Sequence, residues 1–333
     1  MKSQEIGVLG AGAWGTALSV LWAKEGRPIL LWGRNALLVR ELERARANKH
    51  YLPDVDFPDS IGLTSKLRDC AKCPLIIFVT RSTALRETAV QLRENSISRD
   101  AVLFSCVKGI EHGSGKRMSE ILAEIFPHNP IAVLSGPNLA TEVSRGLPTA
   151  TVLACTDPNR ASELQNQLGT PRFRIYTGED LAGIELGGAF KNVFAIAAGV
   201  GDGLGLGDNS KAALVTRSLA EMVRIGTKMG GKLQTFYGLS GAGDLVATCF
   251  SQHSRNRRTG EKLATGQSLE QIASALGTVA EGIPTAKSAR ECALRLGVET
   301  PIIDQVYSLL YEGKTPALAV EELFKREQKA EAI

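Results

Sequence analysis

Ile6-Gly7-Val8-Leu9-Gly10-Ala11-Gly12-Ala13-Trp14-Gly15 runs four apolar residues directly into a G-x-G-x-x-G turn. A stretch with helical spacing, Ala13 to Lys24, follows the turn. A strand before the glycines and a helix after them give the pattern its meaning. Gly10, Gly12 and Gly15 then allow a tight turn, close approach of backbone to a pyrophosphate, and close helix–strand packing. Ala13 and Trp14 begin the helix, whose free amides and dipole favour phosphate. The turn therefore predicts a dinucleotide site.

Outward from this turn, apolar runs alternate with helical stretches. Pro28–Trp32, Leu75–Val79 and Ala101–Ser105 read as buried strands, with helical segments at Ala36–Ala47, Ala84–Arg93 and Lys116–Phe126. Ile131–Leu134 and Thr149–Ala154 extend the series. Continuous apolar strands separated by helices predict a parallel sheet covered on both faces, a doubly wound Rossmann-type fold. After Thr177 the rhythm changes. No strand is expected from Glu179 onward; Glu179–Ala198, Lys211–Met229, Leu269–Leu276, Ala286–Leu296 and Pro301–Tyr311 all have helical spacing. The expectation is an α/β dinucleotide-binding domain at 1–178 and an all-helical substrate domain at 179–333.

Composition narrows the function. The 333 residues include 44% hydrophobic and 22% charged, ordinary for a chain with a core. A balance of 39 basic against 35 acidic residues, +4, is too weak and too evenly spread to suggest nucleic acid or a membrane surface. Beginning at Met1, no basic stretch precedes a long apolar core and cleavage site, so no secretory leader is expected. No run of about 18 uncharged apolar residues occurs, so no membrane insertion is expected either. Six scattered cysteines and four histidines form no metal-ligand pattern, and Cys70-x-x-Cys73 lacks a second pair. A cytoplasmic enzyme without a metal, with buried reduced thiols, fits these features.

The second strand ends in Trp32-Gly33-Arg34-Asn35 with no acid before Glu41. An acid there would hold a ribose 2′-hydroxyl, whereas arginine accommodates a 2′-phosphate. Arg34 thus favours NADP over NAD, although a solvated arginine in a turn would look the same.

Four further segments put polar residues among small ones. In Leu186-Gly187-Gly188-Ala189-Phe190-Lys191-Asn192, helical spacing puts Lys191 on the face of Ile184, Gly187/Gly188, Ala195 and Ala198, with glycines one turn earlier leaving space for a ligand. Snorkelling to water is the bland alternative. Ser240-Gly241-Ala242-Gly243-Asp244 presents an acid at a helix start, where an N-cap is a sufficient reason. Ser254-Arg255-Asn256-Arg257 joins a serine cap to arginines, a good phosphate site, although a solvated basic turn is possible. Leu134-Ser135-Gly136-Pro137-Asn138-Leu139-Ala140 and Lys108-Gly109 follow strands at the sheet's C-terminal edge, where ligands of such sheets bind.

Taken with Lys108-Gly109-Ile110-Glu111, Ser135-Gly136-Pro137, Lys191-Asn192, Gly243-Asp244 and Glu281-Gly282, the Ser254–Arg257 run resembles the NAD(P)-dependent glycerol-3-phosphate dehydrogenase family, bacterial type, nearly end to end. The resemblance implies a homodimer interconverting dihydroxyacetone phosphate, a small phosphate substrate, with sn-glycerol 3-phosphate, feeding glycerophospholipid synthesis. It implies Lys191 as the proton-transfer residue, oriented by Asp244, with Lys108 near both substrate carbonyl and cofactor. Arg255, Ser254 and Asn256 would hold the phosphate and Asn192 the terminal hydroxyl, with Gly136 and Asn138 completing the pocket. Ala140, Val279, Glu281 and Arg255 would line the cofactor. Asn138 departs from the family's Ser or Thr, Phe190 from its leucine, Ala242 from a larger apolar residue, and Thr80-Arg81 from Pro-Ser. Two competing readings are a hydroxy-acid dehydrogenase with a helical second domain, and a dinucleotide-sensing module without turnover. The paired Asp244 and Ser254–Arg257 segments argue against the first, and the joint presence of Lys191, Asp244 and Lys108 against the second.

Overall fold

β1 (Ile6–Leu9), β4 (Leu75–Phe78) and β5 (Val102–Ser105) are buried at every position, as strands covered on both faces must be. They belong to an eight-stranded sheet in a computed structural model that describes residues 6–277, 279–327 and 330. The order is β3-β2-β1-β4-β5-β6-β7-β8, with β2 at Ile29–Trp32, β3 at Ile61–Thr64, β6 at Ile131–Ser135, β7 at Thr149–Cys155 and β8 at Phe173–Thr177. β1 to β6 run parallel, β7 is antiparallel to β6, and β8 is parallel to β7. Leu9 pairs with both Trp32 and Phe78, so the strand order reverses beside β1. The crevice beyond that reversal is where doubly wound sheets bind ligands, and the Gly10–Gly15 turn opens into it. Two apolar clusters cover the sheet faces, one around Trp22 and Phe104 and the other around Phe78 and Leu103. The Trp22 indole N–H donates to the Leu168 carbonyl at 2.9 Å, satisfying the polar atom of a fully buried ring.

The chain divides into two compact units. The sheet unit holds the described residues up to Val107 together with Met118–Leu181, and the helical unit holds Lys108–Arg117 and the described residues from Ala182 on. The division thus falls three residues beyond the expected 178/179, and the 108–117 segment groups with the helices although it follows a strand in sequence. Ile110 packs into the helical core and Arg117 pairs with Glu185, which draws the segment there.

Within the helical unit, Leu181–Gly203 and Gly207–Lys228 are the long helices. Leu181–Gly203 is apolar around most of its circumference, and Phe190, Val193, Phe194 and Ile196 are fully buried. By length and composition it could cross a membrane, but 83% of its most apolar window is buried inside the protein, as in the central helix of a helical core. Among the described residues from Glu179 on, no strand occurs.

Candidate functional site

Lys191 lies in the middle of the Leu181–Gly203 helix with 9% of its side chain exposed. Its ammonium donates to Asp244 Oδ1 at 2.9 Å and to Thr248 Oγ1 at 2.7 Å. The Asp244 Oδ2 atom accepts from Lys108 Nζ at 2.5 Å. One buried carboxylate therefore holds two ammonium groups, each on its own oxygen. Burial pulls the Lys191 ammonium from its ordinary value of 10.5 down to about 8. Asp244 holds it up against that, and the like charge of Lys108 pushes it further down. Burial likewise pushes the nearby Cys249 thiol up to about 12, so it stays a neutral thiol.

The backbone explains how Asp244 arrives there. A Cβ on Gly187 would lie 2.6 Å from the Ser240 carbonyl oxygen. The wide turn Leu239–Gly243 therefore seats directly on the Lys191 helix and delivers Asp244 as the first residue of helix Asp244–Phe250. The expected ligand space beside Gly187 is thus filled by protein backbone. Gly243, not Asp244, is the cap of this helix, and the Asp244 carboxylate is committed to the lysines. Thr248, one turn after Asp244 and bonded to it at 3.2 Å, belongs to the same cluster. The i, i+4 spacing from Asp244 was the signal that sequence reasoning passed over.

The Ser254 segment is tied to the same helix. Ser254 caps helix Arg255–Ala264 by accepting from the Arg257 N–H at 3.2 Å. A Cβ on Gly199 would overlap the Arg257 carbonyl, and one on Gly260 the Ile196 carbonyl, so the two helices meet backbone to backbone. The Asn256 amide donates to Asn192 Oδ1 at 2.8 Å and its oxygen accepts from the Gly282 N–H at 2.9 Å. Asn192 in turn donates to the Gly188 carbonyl at 3.3 Å. This chain of amides links Lys191-Asn192, Arg255-Asn256 and Glu281-Gly282. Glu281 stands at the start of helix Gly282–Leu296, Val279 is 43% exposed, and the Arg255 side chain is exposed at the first turn of its helix.

In the sheet unit, Gly10 has φ +134° and a Cβ there would meet the Val79 carbonyl at 2.7 Å; one on Gly15 would meet the Gly10 carbonyl. Gly12 differs, because a Cβ there would meet nothing within 4 Å. Local packing requires the outer glycines, whereas the middle one leaves open space above the helix N-terminus. That space is what close approach of a pyrophosphate needs, so the turn fits a dinucleotide. Ala13 and Trp14 form the first turn. Asn48, fully buried, donates to the Ala11 carbonyl at 3.1 Å and to Thr16 Oγ1 at 2.8 Å, pinning the loop from 32 to 37 residues away. No local pattern marks it in the sequence. Arg34 is exposed and, among the described residues, makes no ion pair; next to it, the Asn35 side chain caps the following helix. Gly136 (φ +143°) packs on Thr151, and the Asn138 amide donates to Thr151 Oγ1 at 3.2 Å, with Ala140 opening the next helix. Thr80 Oγ1 is buried without a hydrogen-bond partner among the described residues. Among the described residues no group of three His, Cys, Asp or Glu could hold a metal, and all six cysteines are buried.

A doubly wound sheet with a glycine turn at its strand reversal, and a helical unit with a buried lysine between an acid and a hydroxyl, are the two parts of a nicotinamide-dependent dehydrogenase. Residues 5–161 match the family NAD-dependent glycerol-3-phosphate dehydrogenase N-terminus, and residues 180–321 match the corresponding C-terminus. A glycerol-3-phosphate dehydrogenase [NAD(P)+] of Desulfitobacterium hafniense is 43% identical over 98% of this chain and 93% of that protein. One of Chlorobium phaeobacteroides is 45% identical over 98% and 99%. The crystal structure of glycerol-3-phosphate dehydrogenase from Coxiella burnetii superposes with a TM-score of 0.94 at 38% identity, covering 97% of this chain and 99% of that one. The chain belongs to the NAD-dependent glycerol-3-phosphate dehydrogenase family.

Proposed function

We propose that this chain interconverts dihydroxyacetone phosphate and sn-glycerol 3-phosphate with NAD(P)H, and that Lys191 exchanges the proton. One observation carries the reading: the Lys191 ammonium is buried, fixed between Asp244 and Thr248, and pulled down to about 8. A group near neutrality can both give and take a proton at working pH. In the reducing direction, the nicotinamide when bound supplies the hydride taken up by the carbonyl carbon. Lys191 then neutralises the developing alkoxide by electrostatics and by proton donation. Asp244 orients Lys191, and Lys108 adds positive charge on the far side of the same carboxylate.

Arg255 holds the phosphate with a two-pronged guanidinium and Ser254 lies at the same helix start. Asn256 and Asn192 add to this pocket through their shared amide chain, and Gly136 and Asn138 are further substrate-binding residues. Gly10, Gly12, Ala13, Trp14 and Gly15 hold the pyrophosphate. Arg34 favours NADP by meeting its 2′-phosphate, and Lys108, Ala140, Arg255, Val279 and Glu281 line the rest of the cofactor. The protein acts as a cytoplasmic homodimer whose product feeds glycerophospholipid synthesis, an assignment supported by the family resemblance.

Initial rates with dihydroxyacetone phosphate, following NADPH and then NADH, test the proposal. Lys191→Ala should lower kcat by ~10²–10⁴-fold, the scale of losing a positioned acid or base. Reduction needs the protonated lysine, so wild-type kcat should fall as pH rises through about 8. Retention of most of kcat in Lys191→Ala would remove the assignment.

A further inference from the structure

Lys108–Arg117 forms a short hairpin. Ile110 and Arg117 make an antiparallel bridge, and the Glu111 N–H donates to the Lys116 carbonyl at 2.9 Å. Gly113 and Gly115 take positive φ at its turn. Its contacts with the helices of its own unit include an apolar anchor, a polar tip and an ion pair at each end. Ile110 is buried in their core. At the tip, His112 meets Glu291 at 2.9 Å and Arg295 reaches the Gly113 and Ser114 carbonyls at 3.4 Å, but His112 is half-exposed and such pairs hold weakly. At the two ends stand two part-buried ion pairs: Lys108 with Asp244 at 2.5 Å, and Arg117 Nη1 with Glu185 Oε2 at 2.6 Å. The side chains of Arg117 and Glu185 are 16% and 5% exposed.

We propose that Arg117 and Glu185 are positioning residues for the reaction, their ion pair fixing the hairpin so that Lys108 stays on Asp244. The inference rests on Lys191 being the proton-exchanging group. Apolar burial of Ile110 is not directional, and a two-stranded hairpin has little stability of its own. The Arg117–Glu185 pair adds a directional restraint on the return strand, because a guanidinium meets a carboxylate through N–H groups of fixed geometry. Glu185 lies six residues before Lys191 on one helix, so the pair references Lys108 to the helix that carries the reacting ammonium.

Loosening the hairpin changes one neighbour of Lys191. The groups facing Lys191 are Asp244, Thr248, Lys108 and Cys249, and of these Lys108 alone rides on the hairpin. When Lys108 drifts, Lys191 loses a like charge and gains a larger share of the Asp244 carboxylate. Both effects favour its protonated form.

The test is the pH profile of kcat for ketone reduction in Glu185→Gln and Arg117→Lys. In Glu185→Gln the alkaline limb should move to higher pH by about half a unit to one unit, with kcat lower by about tenfold. Arg117→Lys keeps the charge pair and should hold the wild-type limb. If Glu185→Gln does not fold, the double variant Arg117→Leu/Glu185→Gln leaves no buried charge unpaired and serves the same measurement. A folded Glu185→Gln, or the folded double variant in its place, whose limb stays where the wild-type limb lies, whatever its kcat or Tm, overturns the inference. Lys191→Ala separates the two levels: if it turns over normally, the site reading falls. If it is inactive while the Glu185→Gln limb is unmoved, only the positioning role falls.

Discussion

Gly187 and Ser240 meet so closely that a Cβ on the glycine would lie 2.6 Å from the serine carbonyl oxygen and 3.1 Å from the Gly241 Cα. Alanine normally stabilises a helix interior relative to glycine by roughly 1 kcal/mol. Here the neighbour is backbone and cannot rotate away. Gly187→Ala should therefore push the Leu239–Gly243 turn outward and lengthen the 2.9 Å Asp244–Lys191 contact. A displacement approaching 1 Å costs about 10²-fold in rate. The expected result is a kcat lower by ~10–100-fold, with stability lower by about 1–3 kcal/mol. Wild-type kcat in a folded Gly187→Ala would show that the turn does not set the acid's position.

The dinucleotide turn allows a sharper contrast. Gly12 has φ −83° and ψ −175°, a conformation alanine adopts freely, and nothing lies within 4 Å of its Cβ position. Gly12→Ala should keep the wild-type Tm or raise it slightly, by the ~0.4–1 kcal/mol that restricting the unfolded chain provides. Its Kd for NADPH, read by fluorescence titration, should rise about tenfold or more, because the methyl occupies the space a pyrophosphate needs. Gly15→Ala, whose Cβ would overlap the Gly10 carbonyl, should instead lose stability. Unchanged NADPH affinity in Gly12→Ala would place the pyrophosphate elsewhere.

Arg34 is exposed at the end of β2, where the ribose substituent is selected. Arg34→Ala should weaken NADPH by ~1.5–3 kcal/mol, the scale of a charge-assisted hydrogen bond, and leave NADH nearly unchanged. Equal loss for both cofactors, or none for either, would return Arg34 to a solvated turn.

Much of this architecture was legible in the sequence, and the residues that were not share a physical reason. β1, β4 and β5 are covered on both faces, so each reads as an unbroken apolar run. β3 (Ile61-Gly62-Leu63-Thr64) is interrupted by an exposed glycine, and in β8 (Phe173–Thr177) exposed Arg174 and Tyr176 alternate with buried residues. Neither resembles a core strand. Lys191 and Asp244 could be singled out because charged residues among glycines are locally conspicuous. Their junction could not, since it depends on Gly187 receiving the Ser240 carbonyl across some fifty residues. The same holds for Asn48, whose only mark is what it bonds to, and for Arg117–Glu185, which moves 108–117 from the sheet unit to the helical one.

Glu221 provides a prediction on stability. Its carboxylate, 1% exposed, accepts from the Ile302 and Ile303 N–H groups at 3.0 and 2.8 Å, and so caps helix Pro301–Tyr311 from a neighbouring helix. Burial pushes its pKa from 4.5 up to about 7, against the pull of those two N–H groups. Between about pH 4.5 and 7 the folded chain therefore keeps a proton that the unfolded chain has shed, so this group lowers stability as pH rises across that window. Glu221→Gln cannot titrate. The Tm advantage of wild type over Glu221→Gln should shrink from pH 5 to pH 8, and parallel Tm curves would show that Glu221 is not the titrating group. Glu221→Ala leaves both N–H groups unpaired and should cost about 2 kcal/mol or more.

The substrate assignment is tested most directly at Arg255, on the first turn of the Ser254-capped helix. A guanidinium can hold two phosphate oxygens at once, whereas a lysine offers a compact point charge. Arg255→Lys should therefore damage catalysis although charge is kept, and Arg255→Ala should damage it more. The loss should fall mainly on kcat/KM for dihydroxyacetone phosphate. Some loss in kcat is expected as well, because binding energy at a remote phosphate helps align the reacting carbonyl. Unphosphorylated dihydroxyacetone, a poor substrate throughout, has no group for Arg255 to hold and should respond far less. The decisive measurement is the ratio of kcat/KM for the two substrates in wild type and in Arg255→Ala. A ratio that falls by about 10-fold or more puts the phosphate on Arg255, the scale of losing a charge-assisted contact. A ratio that does not change means that the phosphate is bound elsewhere, and leaves a lysine-dependent reductase whose substrate must be sought again.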